Sequence, residues 1–174
     1  LLTDNGLVAR GVDLNQILVE QCKASGLDVA EADAISYLRR LSESSVGAVT
    51  GLHIIEHIPF DQLVHLLDEA WRVLKPGGVV AFETPNPENL LVGACNFYYD
   101  PTHLNPLPPP VVEFLLEARG FVRIEIKRLI ENREIEVLPE VTDEPGAEHL
   151  NRVIGFINTH FGAAPDYAVL GFKA

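Results

Sequence analysis

Leu7-Val-Ala-Arg-Gly-Val-Asp13-Leu-Asn15 sets an acid at the carboxyl end of an apolar run, directly ahead of an amphipathic helical pattern. An open α/β sheet holds a nucleoside ribose at such a place, because a carboxylate accepts hydrogen bonds from paired hydroxyls better than a neutral group does. Asp13 is the anchor of this reading. Asp13 and Asn15 could instead serve only the strand-to-helix turn, with Asn15 as the N-cap.

Working outward from this stretch, residues 1–5 read as the tail of a helix that Gly6 closes in a left-handed C-cap. Downstream, Leu14, Ile17, Leu18 and Cys22 fall at helical spacing, and Gly26 precedes a short strand from Leu27 to Ala30. Asp33 is a second strand-end acid. It can accept from an adenine amine, or simply cap the helix whose apolar face is Ile35, Leu38 and Leu41. Ser45 to His53 predicts a buried parallel strand that runs into an edge loop, Ile54-Ile-Glu56-His57-Ile-Pro59. A helix capped by Asp61 follows, with Leu63, Leu66, Leu67, Ala70, Trp71 and Leu74 as its core stripe, and Lys75-Pro-Gly-Gly78 stops it.

The second half alternates in the same way. Val79 to Phe82 predicts a short buried strand that gives way to a loop at Glu83-Thr-Pro-Asn-Pro87. Asn89 to Pro110 reads as a long loop dense in Asn, Pro, Tyr and His, and loops of that length inside a domain are usually functional. A helix through Val112, Leu115 and Leu116 ends at Gly120, before a strand with alternating Val122, Ile124 and Ile126. Residues 131–146 are acidic and proline-containing and predict an exposed excursion. A helix from about Glu148 to His160 and a strand from Tyr167 to Phe172 close the chain. The expectation is a single domain over residues 1–174, with residues 131–165 inserted between the last two strands.

Composition narrows the function. At 174 residues, with 47% apolar and 22% charged residues, the chain suits one domain with a substantial core. The net charge of −12 leaves no basic footprint for a nucleic-acid backbone or an anionic membrane. No apolar run approaches the roughly 18 residues that span a bilayer, so the expectation is a soluble, cytoplasmic protein. Cys22 and Cys95 lack CxxC spacing and read as small buried hydrophobes, and no metal site is expected. The absence of any Met predicts that the sequence begins inside a longer protein.

Gly11-Val-Asp13, Ala32-Asp33-Ala34, Leu52-His-Ile-Ile-Glu-His57, Arg72-Val-Leu-Lys-Pro-Gly-Gly78 and Asp166-Tyr-Ala-Val-Leu-Gly-Phe-Lys173 together resemble class I S-adenosylmethionine-dependent methyltransferases. The resemblance implies a Rossmann-like open α/β sheet of seven strands, mostly parallel, with the last strand inserted antiparallel. It implies S-adenosyl-L-methionine as cofactor, bordered by Asp13, Leu14, Asp33, Ala34 and His53. Asn86-Pro-Glu-Asn89 and Asp100-Pro-Thr-His103 resemble the methyltransferase domains of bacterial surface-polysaccharide synthesis, including O-antigen chain-terminating enzymes. The family's first strand and its glycine-rich turn are missing from the sequence. That strand would lie between the one ending at Asp13 and the one ending near His53, so its absence predicts unpaired backbone there.

Methyl transfer from a sulfonium releases a neutral leaving group, so the protein mainly positions the reactants and excludes water. A hydroxyl acceptor gains from a general base, whereas an acidic acceptor needs none. His103 is the candidate base, or else it only pins its loop. Glu56, His57, Tyr98 and Tyr99 are candidates for the pocket edge, and Glu56 and His57 could equally serve the geometry of the helix that follows. The expected partner is a small-molecule or saccharide-type acceptor; the oligomeric state is left open. Two other readings fit the same pattern: a non-catalytic interaction domain, and a nicotinamide-dependent oxidoreductase that uses Asp13 for its ribose.

Overall fold

The computed structural model describes residues 2–129, 138–142 and 145–174. Among the described residues six strands form two sheets. β1 (Gly11–Asp13) and β2 (Val29–Glu31) pair in parallel, and β3 (Val46–Leu52), β4 (Leu74–Pro85), β6 (Asp166–Lys173) and β5 (Phe121–Leu129) form a four-stranded sheet in that order. β3 and β4 are parallel, and β6 runs antiparallel between β4 and β5. The sheet is thus open and mixed, with the last strand inserted as expected. β1 and β3 each pair on one edge only, and no described residue pairs with the other edge of either.

That break shapes the first helix. Asn15 caps α1 (Gln16–Ala24) by accepting from the N–H groups of Ile17 and Leu18, and only Val19 of this helix is buried. Leu14 and Ile17, at the expected helical spacing, are 72% and 67% exposed, because nothing among the described residues covers them. α2 (Ala34–Arg39) packs better: Ile35 and Leu38 join the core with α3 (Phe60–Val73). Leu63, Leu66, Leu67, Ala70 and Val73 are the buried stripe of α3. Pro59, and not Asp61, occupies the N-cap, and Asp61 instead favours the positive end of the helix from its first turn.

Trp71 leaves the core that its spacing predicted. It is 36% exposed and lies beneath Lys173 Nζ, 4.1 Å from the ring centroid. Lys173 also donates to the Leu74 carbonyl at 2.8 Å, so one buried ammonium closes the end of α3 and ties β6 to it. The two cysteines likewise differ from expectation: Cys22 is half-buried, and Cys95 is exposed with its thiol donating to Tyr99 Oη at 3.3 Å.

Lys75-Pro-Gly-Gly78 ends the helix as read, yet it is also the start of β4. Gly77 adopts φ +76, open to glycine at little cost, and a Cβ at Gly78 would lie 2.8 Å from the Lys75 carbonyl oxygen and 3.0 Å from that of Gly47. Both glycines are therefore required by backbone geometry. β4 then runs to Pro85, well past Phe82, because β6 pairs with it from Val79↔Phe172 to Pro85↔Asp166. Glu83 and Thr84 consequently sit in a central strand and not in a loop.

The segment read as one long loop contains α4 (Leu90–Ala94) and a 3-10 turn (Asn96–Tyr99) before α5 (Pro109–Ala118). In β5, Arg123 adopts φ +50 and the register shifts between Val122 and Glu125, which breaks the expected alternation and buries Phe121 instead. The helix α6 (Ala147–Phe161) precedes β6. Of the expected acidic excursion, residues 131–137 and 143–144 lie outside the described residues. The part described is held to α6: Asn158 and Asn151 each exchange two hydrogen bonds with the backbone, at Leu138 and Val141.

No helix among the described residues is long and apolar enough to cross a membrane. Tyr167, fully buried in β6, donates its hydroxyl to the Leu107 carbonyl at 2.8 Å, and burial pushes the phenol's pKa up. Replacing Gly78 with Ala sets a methyl against two carbonyl oxygens and should cost about 1–3 kcal/mol of stability, as overpacked substitutions do. Denaturant unfolding of G78A should show a lowered midpoint; an unchanged midpoint would contradict the close approach.

Candidate functional site

At the carboxyl ends of β3 and β4, three histidines gather around one carboxylate. β3 ends at Leu52, and His53 turns out of the strand in the left-handed region, φ +49, while its N–H still donates to the Glu83 carbonyl at 2.9 Å. The chain then enters a 3-10 turn, Ile55–His57, which delivers Glu56 inward and leaves it 1% exposed. Thr84 Oγ1 donates to Glu56 Oε2 at 2.9 Å from the neighbouring strand. His53 Nδ1 lies 3.1 Å from Glu56 Oε1, and its Nε2 lies 3.4 Å from Glu83 Oε1.

The segment from Phe97 to Leu104 closes over this turn. The N–H of Leu104 donates to the Glu56 carbonyl at 2.9 Å, and His103 Nε2 then stands 4.0 Å from Glu56 Oε1. Phe97 is buried, and its ring lies 4.5 Å from that of His103, which in turn lies 4.6 Å from His57. Asp100 fixes the bend. It accepts from the Thr102 N–H at 2.8 Å and from the Thr102 hydroxyl at 2.6 Å, and these two bonds hold its carboxyl below the usual carboxylate range.

These partners decide which nitrogens carry protons. His103 Nδ1 is 2.6 Å from the Phe97 carbonyl oxygen, which can only accept, so Nδ1 is protonated and neutral His103 holds its lone pair on Nε2. Thr102 gives its proton to Asp100 and so receives one from His57 Nδ1 at 2.9 Å, leaving the lone pair of neutral His57 on Nε2 as well. One nitrogen of each ring and one oxygen of Glu56 lie within 4.8 Å of one another.

The structure therefore brings together His53, Glu56, His57 and His103. Tyr98 lies at the rim, exposed, with its ring edge-on to Phe97, and Tyr99 is turned outward, beside Cys95. Asp13 and Leu14 stand apart from this group at the end of β1, as do Asp33 and Ala34 beyond β2. Asp13 Oδ1 accepts from the Asn15 N–H at 2.7 Å, and Asp33 Oδ1 caps α2 by accepting from the Ser36 N–H at 2.8 Å. Each thus performs the local turn chemistry that the sequence allowed, and each has a second carboxylate oxygen besides the one so used.

Four residues of the site carried no sequence signal strong enough to single them out: Glu83, Thr84, Phe97 and Thr102. Thr84 was hidden by the early end read for β4, and Phe97 and Thr102 act through atoms whose direction only the folded loop sets. The asparagines of Asn86-Pro-Glu-Asn89 are structural. Asn86 Nδ2 donates to the Ala164 carbonyl at 2.8 Å, and Asn89 Nδ2 to those of Ala163 and Phe161 at 2.7 and 3.2 Å, which fastens the end of β4 to the entry of β6.

Comparison with known proteins places this arrangement. A methyltransferase domain model matches residues 1–82. A solved S-adenosylmethionine-dependent methyltransferase from Archaeoglobus fulgidus is 30% identical, with a TM-score of 0.87 over 99% of this chain and 79% of that one. A probable S-adenosylmethionine-dependent methyltransferase of Mycolicibacterium smegmatis is 36% identical over 81 residues, 47% of this chain, and the match spans only 30% of that curated relative's length. A phosphoethanolamine N-methyltransferase from Haemonchus contortus, solved with S-adenosyl-L-methionine, shares the fold at 18% identity, a TM-score of 0.67 and 44% of its own length. The chain belongs to the class I S-adenosylmethionine-dependent methyltransferases.

Nitrogen-15 NMR of the imidazoles should find His57 and His103 as Nδ1–H tautomers at mildly alkaline pH; an Nε2–H tautomer at His103 would overturn the assignment. The depressed Asp100 pKa has a defined sign. Its contribution to the loop is fully present above the ordinary carboxylate pKa and is lost as pH falls through the lower folded value. Amide exchange at Thr102, measured against pH, should therefore stay protected to a lower pH in the wild type than carboxylates ordinarily allow, and D100A, which removes the acceptor, should lose that protection even near neutrality.

Proposed function

We propose that this domain transfers a methyl group from S-adenosyl-L-methionine to a hydroxyl of a small or saccharide-type acceptor, with His103 Nε2 as the proton acceptor. The observation that carries the reading is the bond from His103 Nδ1 to the Phe97 carbonyl, which leaves the opposite nitrogen, 4.0 Å from Glu56 Oε1, as the proton-accepting one. The buried Glu56 carboxylate is close enough to attract the positive charge that a transferred proton would bring to the ring. Bound S-adenosyl-L-methionine would supply the methyl group, and His103 Nε2 would take up the proton that the acceptor hydroxyl gives up.

The residues fit the cofactor by their chemistry. Asp13, at the carboxyl end of β1, offers a carboxylate to ribose hydroxyls. Asp33 and the N–H of Ala34, the first residue of α2 and so without an intrahelical acceptor, suit the amine and a ring nitrogen of adenine. Leu14 and His53 complete this edge. The cofactor supplies an electrophilic methyl on a sulfonium; the chain's part is to hold, orient and deprotonate.

Charge favours a hydroxyl over an acidic acceptor. Glu56, Glu83 and Asp100 surround the imidazoles, and no lysine or arginine hydrogen-bonds or ion-pairs with that group among the described residues. An anionic acceptor would be repelled there, whereas an uncharged polyol meets carboxylate and imidazole acceptors for its hydroxyls. A role in polysaccharide synthesis within the cytoplasm is consistent with such an acceptor, and rests on the sequence resemblance.

Two measurements on the full-length protein test the reading. Calorimetry should show binding of S-adenosylhomocysteine that D13A abolishes or weakens severely; equal binding by D13A would remove the ribose role. With a hydroxyl acceptor, H103Q should lower kcat by about 10²- to 10⁴-fold, the usual contribution of a general base, with cofactor binding unchanged. An unimpaired H103Q would assign His103 to loop geometry alone.

A further inference from the structure

Glu56 poses a physical problem that the methyltransferase reading does not solve. A carboxylate 1% exposed requires compensation for its lost hydration, and among the described residues its ion-pairing partners are two imidazoles, His53 and His103. Neither is a permanent cation. The lone pairs of His57 and His103 both lie on Nε2, because each Nδ1–H is spent on a protein acceptor, Thr102 Oγ1 in one case and the Phe97 carbonyl in the other. An imidazole anchored through Nδ1–H to a carbonyl or to a carboxylate-backed hydroxyl is how proteins orient a histidine that ligates metal through its other nitrogen.

We infer that Glu56, His57 and His103 bind a divalent first-row transition-metal ion, with Zn²⁺ as the best-suited member. The donor set is two imidazole nitrogens and one carboxylate oxygen, which suits Zn²⁺ and its neighbours better than Mg²⁺ or Ca²⁺. One ring nitrogen each of His57 and His103 and one Glu56 carboxylate oxygen already lie within 4.8 Å of one another, and His103 Nε2 is 4.0 Å from Glu56 Oε1. Bonds of about 2.0–2.2 Å to a tetrahedral ion place ligand atoms roughly 3.3 Å apart, so the 4.0 Å pair must close by about 0.7 Å and the widest by up to about 1.5 Å on binding. Thr84 and His53 remain on the carboxylate as outer partners, and Asp100 and Thr102 remain behind His57. The fourth position is open to water or to an acceptor oxygen.

The sequence alone could not show this set. Glu56 and His57 are adjacent, but the second histidine arrives from a distant loop, and the usual cysteine and histidine spacings are absent. The inference does not rest on the base role of His103, since binding is read without turnover. An ion on Nε2 of His103 and a proton there exclude one another, so the base role belongs to the ion-free protein.

The test uses the full-length protein stripped with a chelator and titrated with Zn²⁺ by calorimetry, and with Co²⁺ by visible absorption. One equivalent should bind, with Co²⁺ giving the intense bands of a four-coordinate site. H57A and H103A should weaken Zn²⁺ about 100-fold or more, T102V by about 10- to 100-fold through the outer shell, and the surface variant H149A not at all. Absence of stoichiometric binding, or binding that survives in both H57A and H103A, overturns the inference. If either alanine variant fails to fold by circular dichroism, paramagnetic Co²⁺ shifts of the histidine resonances in the wild type decide, since they must fall on His57 and His103. S-adenosylhomocysteine binding in the same samples keeps a failure of this site distinct from a failure of the methyltransferase reading.

Discussion

The carboxylate of Glu56 is removed from water and held by the Thr84 hydroxyl at 2.9 Å, with imidazoles and no lysine or arginine as its ionic partners. Satisfying that one group organises everything nearby. It requires β4 to continue far enough to place Thr84 beside it, the chain to leave β3 through a left-handed histidine, and the segment around His103 to fold back over the turn. A buried charge has few solutions, and each removes freedom from its neighbours.

The sheet supplies the rigidity for this. β4, the strand that carries Thr84, lies between β3 and β6 and cannot shift register without moving Tyr167 out of the core. Tyr167 in turn holds the Leu107 carbonyl, and Leu107 lies just beyond the loop that carries His103. Asn86 and Asn89 fasten the far end of β4 to the start of β6. The site is thus mounted on central strands, and its mobile-looking loop is fixed by hydrogen bonds to backbone at both ends.

Asp13 and Asp33 illustrate how local and functional chemistry share a residue. Each uses one carboxylate oxygen for a turn or a helix cap, and a carboxylate has a second. The choice between cap and ribose ligand is therefore not exclusive. The weakly covered α1 beside them, with Leu14 and Ile17 in solvent, is where the two sheets fail to join.

By itself, the sequence determined most of what depends on neighbours along the chain. The alternation of strands and helices, the stop at Lys75-Pro-Gly-Gly78 and the cap at Asn15 follow from periodicity, glycine conformation and short-range hydrogen bonding, whereas the antiparallel terminal pair was implied by the family resemblance. Periodicity misled wherever a side chain's surroundings came from elsewhere. Trp71 sits on the right face of its helix but is drawn outward beneath Lys173, and β4 outran its apolar run because β6 supplied a partner ladder for Glu83 and Thr84. Only the tertiary structure decided that Glu56, His57 and His103 meet and which nitrogen of each ring is free. Those facts depend on the Phe97 carbonyl and the Thr102 hydroxyl, which accept from the rings, and on the Thr84 hydroxyl, which donates to Glu56, and the direction of a hydrogen bond is a property of atoms in space that no spacing along the chain encodes.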